Sequence, residues 1–148
     1  MTKVSDILRT KDTRIIMVRL REPVSTAVEL MQRENIAALV VKDVSRTEGN
    51  IVVGIFTERD VTRALATHGA AALAMPIADL IKRPLAKCSE RDSIETVLRI
   101  MDQHQVRMLP VMEEHTVIGV ISISDIIRDA VAHTQELSSG SGSAALHA

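Results

Sequence analysis

The sequence predicts an α+β fold made of two copies of one helix-strand-helix-strand-strand-helix unit, packed about a pseudo-two-fold axis. Three observations carry this. Gly54-Ile-Phe-Thr-Glu-Arg-Asp60 returns 65 residues later as Gly119-Val-Ile-Ser-Ile-Ser-Asp125. The stripe Val24, Ala27, Val28 and Met31 returns 70 residues later as Ile94, Val97, Leu98 and Met101, at the spacing of one helix face. Between stripe and glycine motif each copy has a short apolar run with the character of a buried strand, at 36–41 and 106–112.

The elements follow in order. Residues 4–8 form a short helix with Ser5 or Asp6 as cap, and the pattern recurs at 77–81. Residues 14–18 are extended, and Pro23 stands where a first helical turn tolerates a missing N–H, so a helix begins near Val24. The change of repeat interval from 70 to 65 leaves five extra residues in the first unit. They fall in the polar segment 42–50 and predict a longer hairpin loop there than at Glu113-Glu-His-Thr116. Closing helices are expected over 58–67 and 124–133, with a connector from His68 to Pro76. Positions 138–143 hold only Ser and Gly, which predicts disorder. The expected organisation is residues 1–70 as repeat 1, 71–135 as repeat 2 and 136–148 as a disordered Ser/Gly tail. Half-cores of about 60 residues are marginal alone. The units therefore pack together, and a pseudo-two-fold contact creates two related clefts.

Bulk properties narrow the function. A net charge of -1 gives no whole-chain attraction to nucleic acid or anionic lipid, and Phe56 as the only aromatic leaves no platform for stacking bases. One cysteine, Cys88, no signal-peptide pattern at Met1-Thr-Lys-Val and no apolar run near 18 residues predict a cytoplasmic protein off the membrane. The five histidines lack paired metal-ligand spacing, so no metal site is expected. Cys88 reads as a structural or weakly reactive thiol in a turn, His104 as a charge favourable to a helix C-terminus, and the seven methionines as adaptable core.

Asp60 and Asp125 are the first candidates for chemistry, because a carboxylate can accept hydrogen bonds from both hydroxyls of a ribose. Thr57-x-x-Asp60 and Ser122-x-x-Asp125 also fit capping boxes. The roles are compatible, since a helix N-terminus is itself a phosphate site. Arg59 and Arg107 supply forked donors suited to phosphate. The matching positions in the other copy are Ser124 and Ala37, so the clefts are chemically unequal.

The element order, the two glycine motifs and His104-Gln-Val-Arg-Met-Leu-Pro-Val111 together resemble the tandem cystathionine-β-synthase (CBS) domain pair, or Bateman module, in its stand-alone bacterial form. The resemblance runs from about Val4 to His133. It implies a regulatory module without chemistry of its own that binds AMP, ADP, ATP, NAD(H) or S-adenosylmethionine between the paired domains. Carried over, one site joins Ala86, Val106 and Arg107 to Thr57, Arg59 and Asp60. The second joins Ile16, Ile36 and Ala37 to Ser122, Ser124 and Asp125.

The expected function is thus adenosine-nucleotide sensing passed to an effector protein, without enzymatic activity and without nucleic-acid or membrane partners. The rivals are a structural dimerisation module with vestigial clefts and a small enzyme using Asp60 and Asp125 as paired acids. A homodimer is expected, because Val24, Val28, Met31, Ile94, Leu98 and Met101 form apolar faces that two units cannot fully cover.

Overall fold

A computed structural model describes residues 2–11, 14–45, 47, 49–81 and 85–140. The first unit contributes β1 (Met17–Arg19), α2 (Val24–Glu34), β2 (Ala38–Ser45), β3 (Gly49–Thr57) and α3 (Glu58–His68), after an opening helix α1 (Val4–Leu8). Two 3₁₀ turns, Gly69–Ala74 and Ile77–Asp79, lead to the second unit, which contributes α4 (Ile94–His104), β4 (Met108–Glu113), β5 (Thr116–Ser122) and α5 (Ile123–Gly140). In the first sheet β1 runs parallel to β2, which pairs antiparallel with β3; in the second, β4 pairs antiparallel with β5. The counterpart of β1 shrinks to a single parallel bridge, Cys88 with Val111. Cys88 therefore lies in extended backbone rather than in the expected turn.

The repeat holds to fine detail. α2 and α4 each span 11 residues and end on a left-handed residue, Asn35 (φ 53°) and Gln105 (φ 55°). Both hairpins shift register at the same place, Val41/Lys42 and Val111/Met112. The five extra residues do not make a long loop, however. Each strand of the first hairpin is two residues longer than its counterpart, and the connection across 46–48 is one longer than Glu114–His115. The polar segment 42–50 pairs Lys42 with Val52, Asp43 with Ile51 and Val44 with Asn50. Its polarity reflects strands that run out into solvent, with Val44 72% exposed.

The helices also depart from expectation at their ends. α1 is capped by Lys3, whose backbone N–H donates to Asp6 Oδ2 at 2.9 Å; Ser5 and Asp6 lie inside the helix. α5 continues to Gly140 rather than stopping near His133. A helix anchored at its start adds one hydrogen bond per residue with little nucleation cost, so residues 134–140 extend it. The remainder of the tail, 141–148, lies outside the described residues.

Two apolar cores form, and each takes a segment from the other unit's sequence. Ile77 is buried with Val18, Leu20, Val24, Met31 and Phe56, whereas Val4 and Ile7 are buried with Cys88, Val97, Met101 and Ile121. Backbone hydrogen bonds repeat this exchange. Ile77 donates to the Glu22 carbonyl (2.9 Å), Ala78 to Leu20 (2.9 Å) and Val24 to Met75 (2.9 Å). On the other side Val4 donates to Asp92 (3.0 Å), Ser5 to Glu90 (2.9 Å) and Ile94 to Thr2 (3.3 Å). The sequence interval 70/71 is accordingly not where one core ends and the other begins.

The exchange explains the glycines. A Cβ on Gly54 would lie 2.5 Å from Ile81 Cδ1, and one on Gly119 would lie 3.0 Å from Leu8 Cδ2. Each glycine leaves room for the segment that crosses from the other unit. The same segments cover the helix stripes: Val24, Met31 and Met101 are buried within the chain, and of the six residues expected to need a partner only Leu98 is exposed. Gly54→Ala should destabilise the protein by about 1–3 kcal/mol, the usual cost of overpacking. In denaturant melts the loss should be smaller in an Ile81→Ala background, where the colliding atoms are gone; equal losses in both backgrounds would contradict the exchanged packing.

Candidate functional site

The two units meet beside β3 and β4, and a cavity of about 900 Å³ opens at their junction. α3 starts there. Its N-cap, Thr57, has extended backbone, and its hydroxyl accepts from the Asp60 N–H at 3.3 Å. Asp60 Oδ2 in turn accepts from the Thr57 N–H at 2.8 Å and the Thr57 hydroxyl at 3.0 Å. This reciprocal box satisfies the first turn of the helix and fixes the carboxylate. The other oxygen, Oδ1, has no hydrogen-bond partner among the described residues.

Thr57, Arg59 and Asp60 of the first unit and Ala86, Val106 and Arg107 of the second all line this one cavity. Arg59 follows the helix start, and Arg107 sits at the mouth of β4, its carbonyl accepting from Ile123 N–H at 3.0 Å. Ala37 holds the matching place, accepting from Glu58 N–H at 3.0 Å. Both guanidinium groups are exposed, and neither forms an ion pair among the described residues. Arg63 adds a third cation to the lining. It was open to detection in the sequence, since it lies four residues after Arg59 and shares its helix face.

The other expected set is divided. Ala37, Ser122 and Ser124 line the same junction cavity, while Ile16 and Ile36 pack against the first unit's core. Asp125 faces a different cavity, about 670 Å³, between α1 and α5. It keeps the box geometry, Oδ2 accepting from Ser122 N–H at 2.9 Å and the Ser122 hydroxyl accepting from Asp125 N–H at 3.1 Å. Yet it is 7% exposed, and two cations hold it: Lys11 Nζ at 2.6 Å from Oδ2 and Arg128 Nη1 at 3.2 Å from Oδ1. Lys11 also donates to the Val120 carbonyl at 2.8 Å. Nothing local in the sequence announces this pair, whose members stand 114 residues apart.

Burial pushes the Asp125 carboxyl up, but the hydrogen bond from Lys11, the Ser122 backbone N–H, the Lys11 charge and the Ser122 hydroxyl outweigh it and leave the group below its usual value. Cys88 is different. Burial, helped by the charge of Asp92, raises its thiol to about 12. Among the described residues no group of three or more His, Cys, Asp or Glu side chains could hold a metal ion, and no helix is long and apolar enough to cross a membrane.

The CBS domain family model matches residues 4–67 and 77–131, one match to each copy of the sequence repeat. The chain belongs to the CBS-domain family. Among curated relatives, the mitochondrial CBS domain-containing protein CBSX3 of Arabidopsis thaliana is 28% identical over 92% of this chain and 68% of its own length. The CBS-domain protein ATU1752 of Agrobacterium tumefaciens superposes with a TM-score of 0.75 at 31% identity, covering 86% of this chain and 92% of that one. A putative signal-transduction protein with CBS domains from Burkholderia ambifaria also gives 0.75, at 28% identity, covering 88% and 95%. The CBS domain pair of protein MJ0100, solved with 5'-methylthioadenosine and S-adenosyl-L-methionine, shares the fold at a TM-score of 0.69 and 24% identity, covering 86% and 98%.

Two outcomes check the electrostatics. The Asp125 carboxyl is depressed in the folded state, so the unfolded chain takes up the proton first. Its stabilising contribution is therefore full above the unfolded value of about 3.9 and lost as pH falls toward the folded one. Melts between pH 2 and 6 should show a steeper acid loss for the native protein than for Asp125→Asn. Cys88 in the folded protein should resist iodoacetamide at pH 8 and react once the chain is unfolded in urea; rapid labelling of the folded state would contradict its burial.

Proposed function

We propose that this CBS pair is a regulatory module that binds an adenosine nucleotide in the junction cavity and passes occupancy to a partner protein as a change in shape or association. The observation that carries this is the convergence, on one cavity, of a fixed carboxylate with a spare oxygen and guanidinium groups from both units. On this reading Asp60 Oδ1 accepts from a ribose hydroxyl. The N-terminus of α3, with Arg59, Arg63 and Arg107, favours the phosphates. Three cations suit ADP, ATP or NAD(H) better than uncharged adenosine, with AMP between. Walls from Ala86 and Val106 give the base an apolar seat.

The reading assigns no reaction to the chain. An enzyme using Asp60 and Asp125 as paired acids is disfavoured, because the two carboxylates face different cavities and Asp125 is held by Lys11 and Arg128. A buried, unreactive thiol fits a reducing cytosol. For assembly we propose a homodimer on a surface that keeps only Leu98 of the six stripe residues. Leu98, Ile127 and Val131 stay 41%, 58% and 50% exposed on α4 and α5. Light scattering that finds a monomer at every concentration would remove that part of the proposal.

Calorimetry on two variants tests the site. Asp60→Ala should weaken adenosine and AMP by similar factors, because both carry ribose. Arg107→Ala should weaken AMP roughly ten- to a hundredfold while sparing adenosine, since a charge-assisted hydrogen bond contributes about 1.5–3 kcal/mol and solvent lowers the upper figure. Equal losses for both ligands on Arg107→Ala would mean that the residue supports the strand and not a phosphate.

A further inference from the structure

We propose that Lys11 is a tethered occupant of the cleft between α1 and α5, a cation of the chain itself that closes Asp125 to any ribose-bearing ligand and leaves the protein with one working site. The inference rests on the reading of Asp60 as the ligand's carboxylate and extends it to stoichiometry and cleft choice.

The repeat makes two carboxylates equivalent. Each accepts the backbone N–H of its capping residue, Thr57 or Ser122, at 2.8 and 2.9 Å. Each also sends its own N–H to the capping hydroxyl, but beyond the box the two differ. Asp60 borders the larger cavity with Oδ1 unpaired among the described residues, while at Asp125 Arg128 takes Oδ1 and Lys11 takes Oδ2 beside the Ser122 N–H. A ribose that donates from both hydroxyls would need both oxygens of this carboxylate, and the ammonium on Oδ2 already holds one of them, more strongly than a hydroxyl would because both partners are charged, while Arg128 stands on the other. A ligand would have to displace the ammonium and leave it without its partner. The competition is also intramolecular. Lys11 follows α1, whose Val4 and Ile7 are buried in the second unit's core, so its effective concentration at Asp125 is fixed by the fold. The Val120 carbonyl takes a second Lys11 proton and holds the side chain across the end of β5.

Arg128 is a weaker guard. It is 72% exposed against 22% for Lys11, and its contact is the longer one. Lys11 is therefore the residue whose removal should open the cleft.

The test is equilibrium dialysis of the full chain with AMP and, separately, ATP, scored as equivalents bound per chain. The native protein should bind one equivalent, lost in Asp60→Asn and retained in Asp125→Asn. Lys11→Ala should bind one more, with affinity at the new site at least tenfold above any residual binding there in the native protein, and a further Asp125→Asn should abolish that gain. Lys11→Ser, which leaves a small polar group beside the buried carboxylate, gives the same comparison if the alanine variant does not fold. The inference is overturned if either folded variant binds only what the native protein binds. It is overturned as well if the native protein already loses an equivalent on Asp125→Asn. The two readings fail separately. A native protein that binds nothing, with one equivalent gained on Lys11→Ala, sinks the Asp60 site and upholds the latch; one equivalent at Asp60 with no gain does the reverse.

Discussion

Everything in this molecule that concerns function depends on the reciprocal crossing of two short segments. Residues 2–8 complete the second core, and residues 75–81 complete the first. Six backbone hydrogen bonds, in two matching sets of three, hold the crossings, and Gly54 and Gly119 give up their side chains to admit Ile81 and Leu8. Neither half can then be removed without opening the other's core. A half-domain of about 60 residues would be marginally stable alone, so the crossing makes one cooperative body out of two weak ones. It also fixes the separation and orientation of the halves, and the junction cavity exists only because that relation is fixed.

The backbone of this arrangement is close to symmetric, whereas its chemistry is not. Paired capping boxes present equivalent carboxylates at the starts of α3 and α5. Around Asp60 stand guanidinium groups free of ion pairs among the described residues, and around Asp125 stand two cations that are engaged. Asymmetry of this kind leaves one carboxylate of a duplicated fold open and closes the other with the chain's own cations. The buried pair need not contribute much net stability, because desolvation offsets its attraction. Its consequence lies in which carboxylate remains available.

How much of this was legible in the sequence depends on whether the signal was local. The two glycine motifs and the two helix stripes stated the repeat, and the element order followed from them, because apolar periodicity and capping chemistry act within a few residues. That six site residues, from Thr57 to Arg107, share one cavity was legible only through the resemblance to the CBS pair, because local patterns do not say which parts of the two units meet. The crossing was not legible, since Val4 and Ile77 would suit either core and backbone hydrogen bonds leave no trace in side-chain identity. For the same reason Val24, Met31 and Met101 read as exposed stripes awaiting a second chain. Residues 42–50 read as a loop because strands leaving the core carry polar side chains, and the helical residues 134–140 read as coil because helix propagation from an anchored start can overrule poor propensity. The Lys11–Asp125 contact joins residues 114 apart and depends wholly on the crossing.

The central claim is that one ligand is held jointly by both units in a cavity their crossing creates. Backbone amide chemical-shift mapping during titration with ATP tests it most directly. The account predicts that Arg59 and Asp60 of the first unit and Val106 and Arg107 of the second move together, with one common saturation point, while Asp125 and Lys11 stay in place. Shifts confined to one unit, or centred on Asp125, would contradict it.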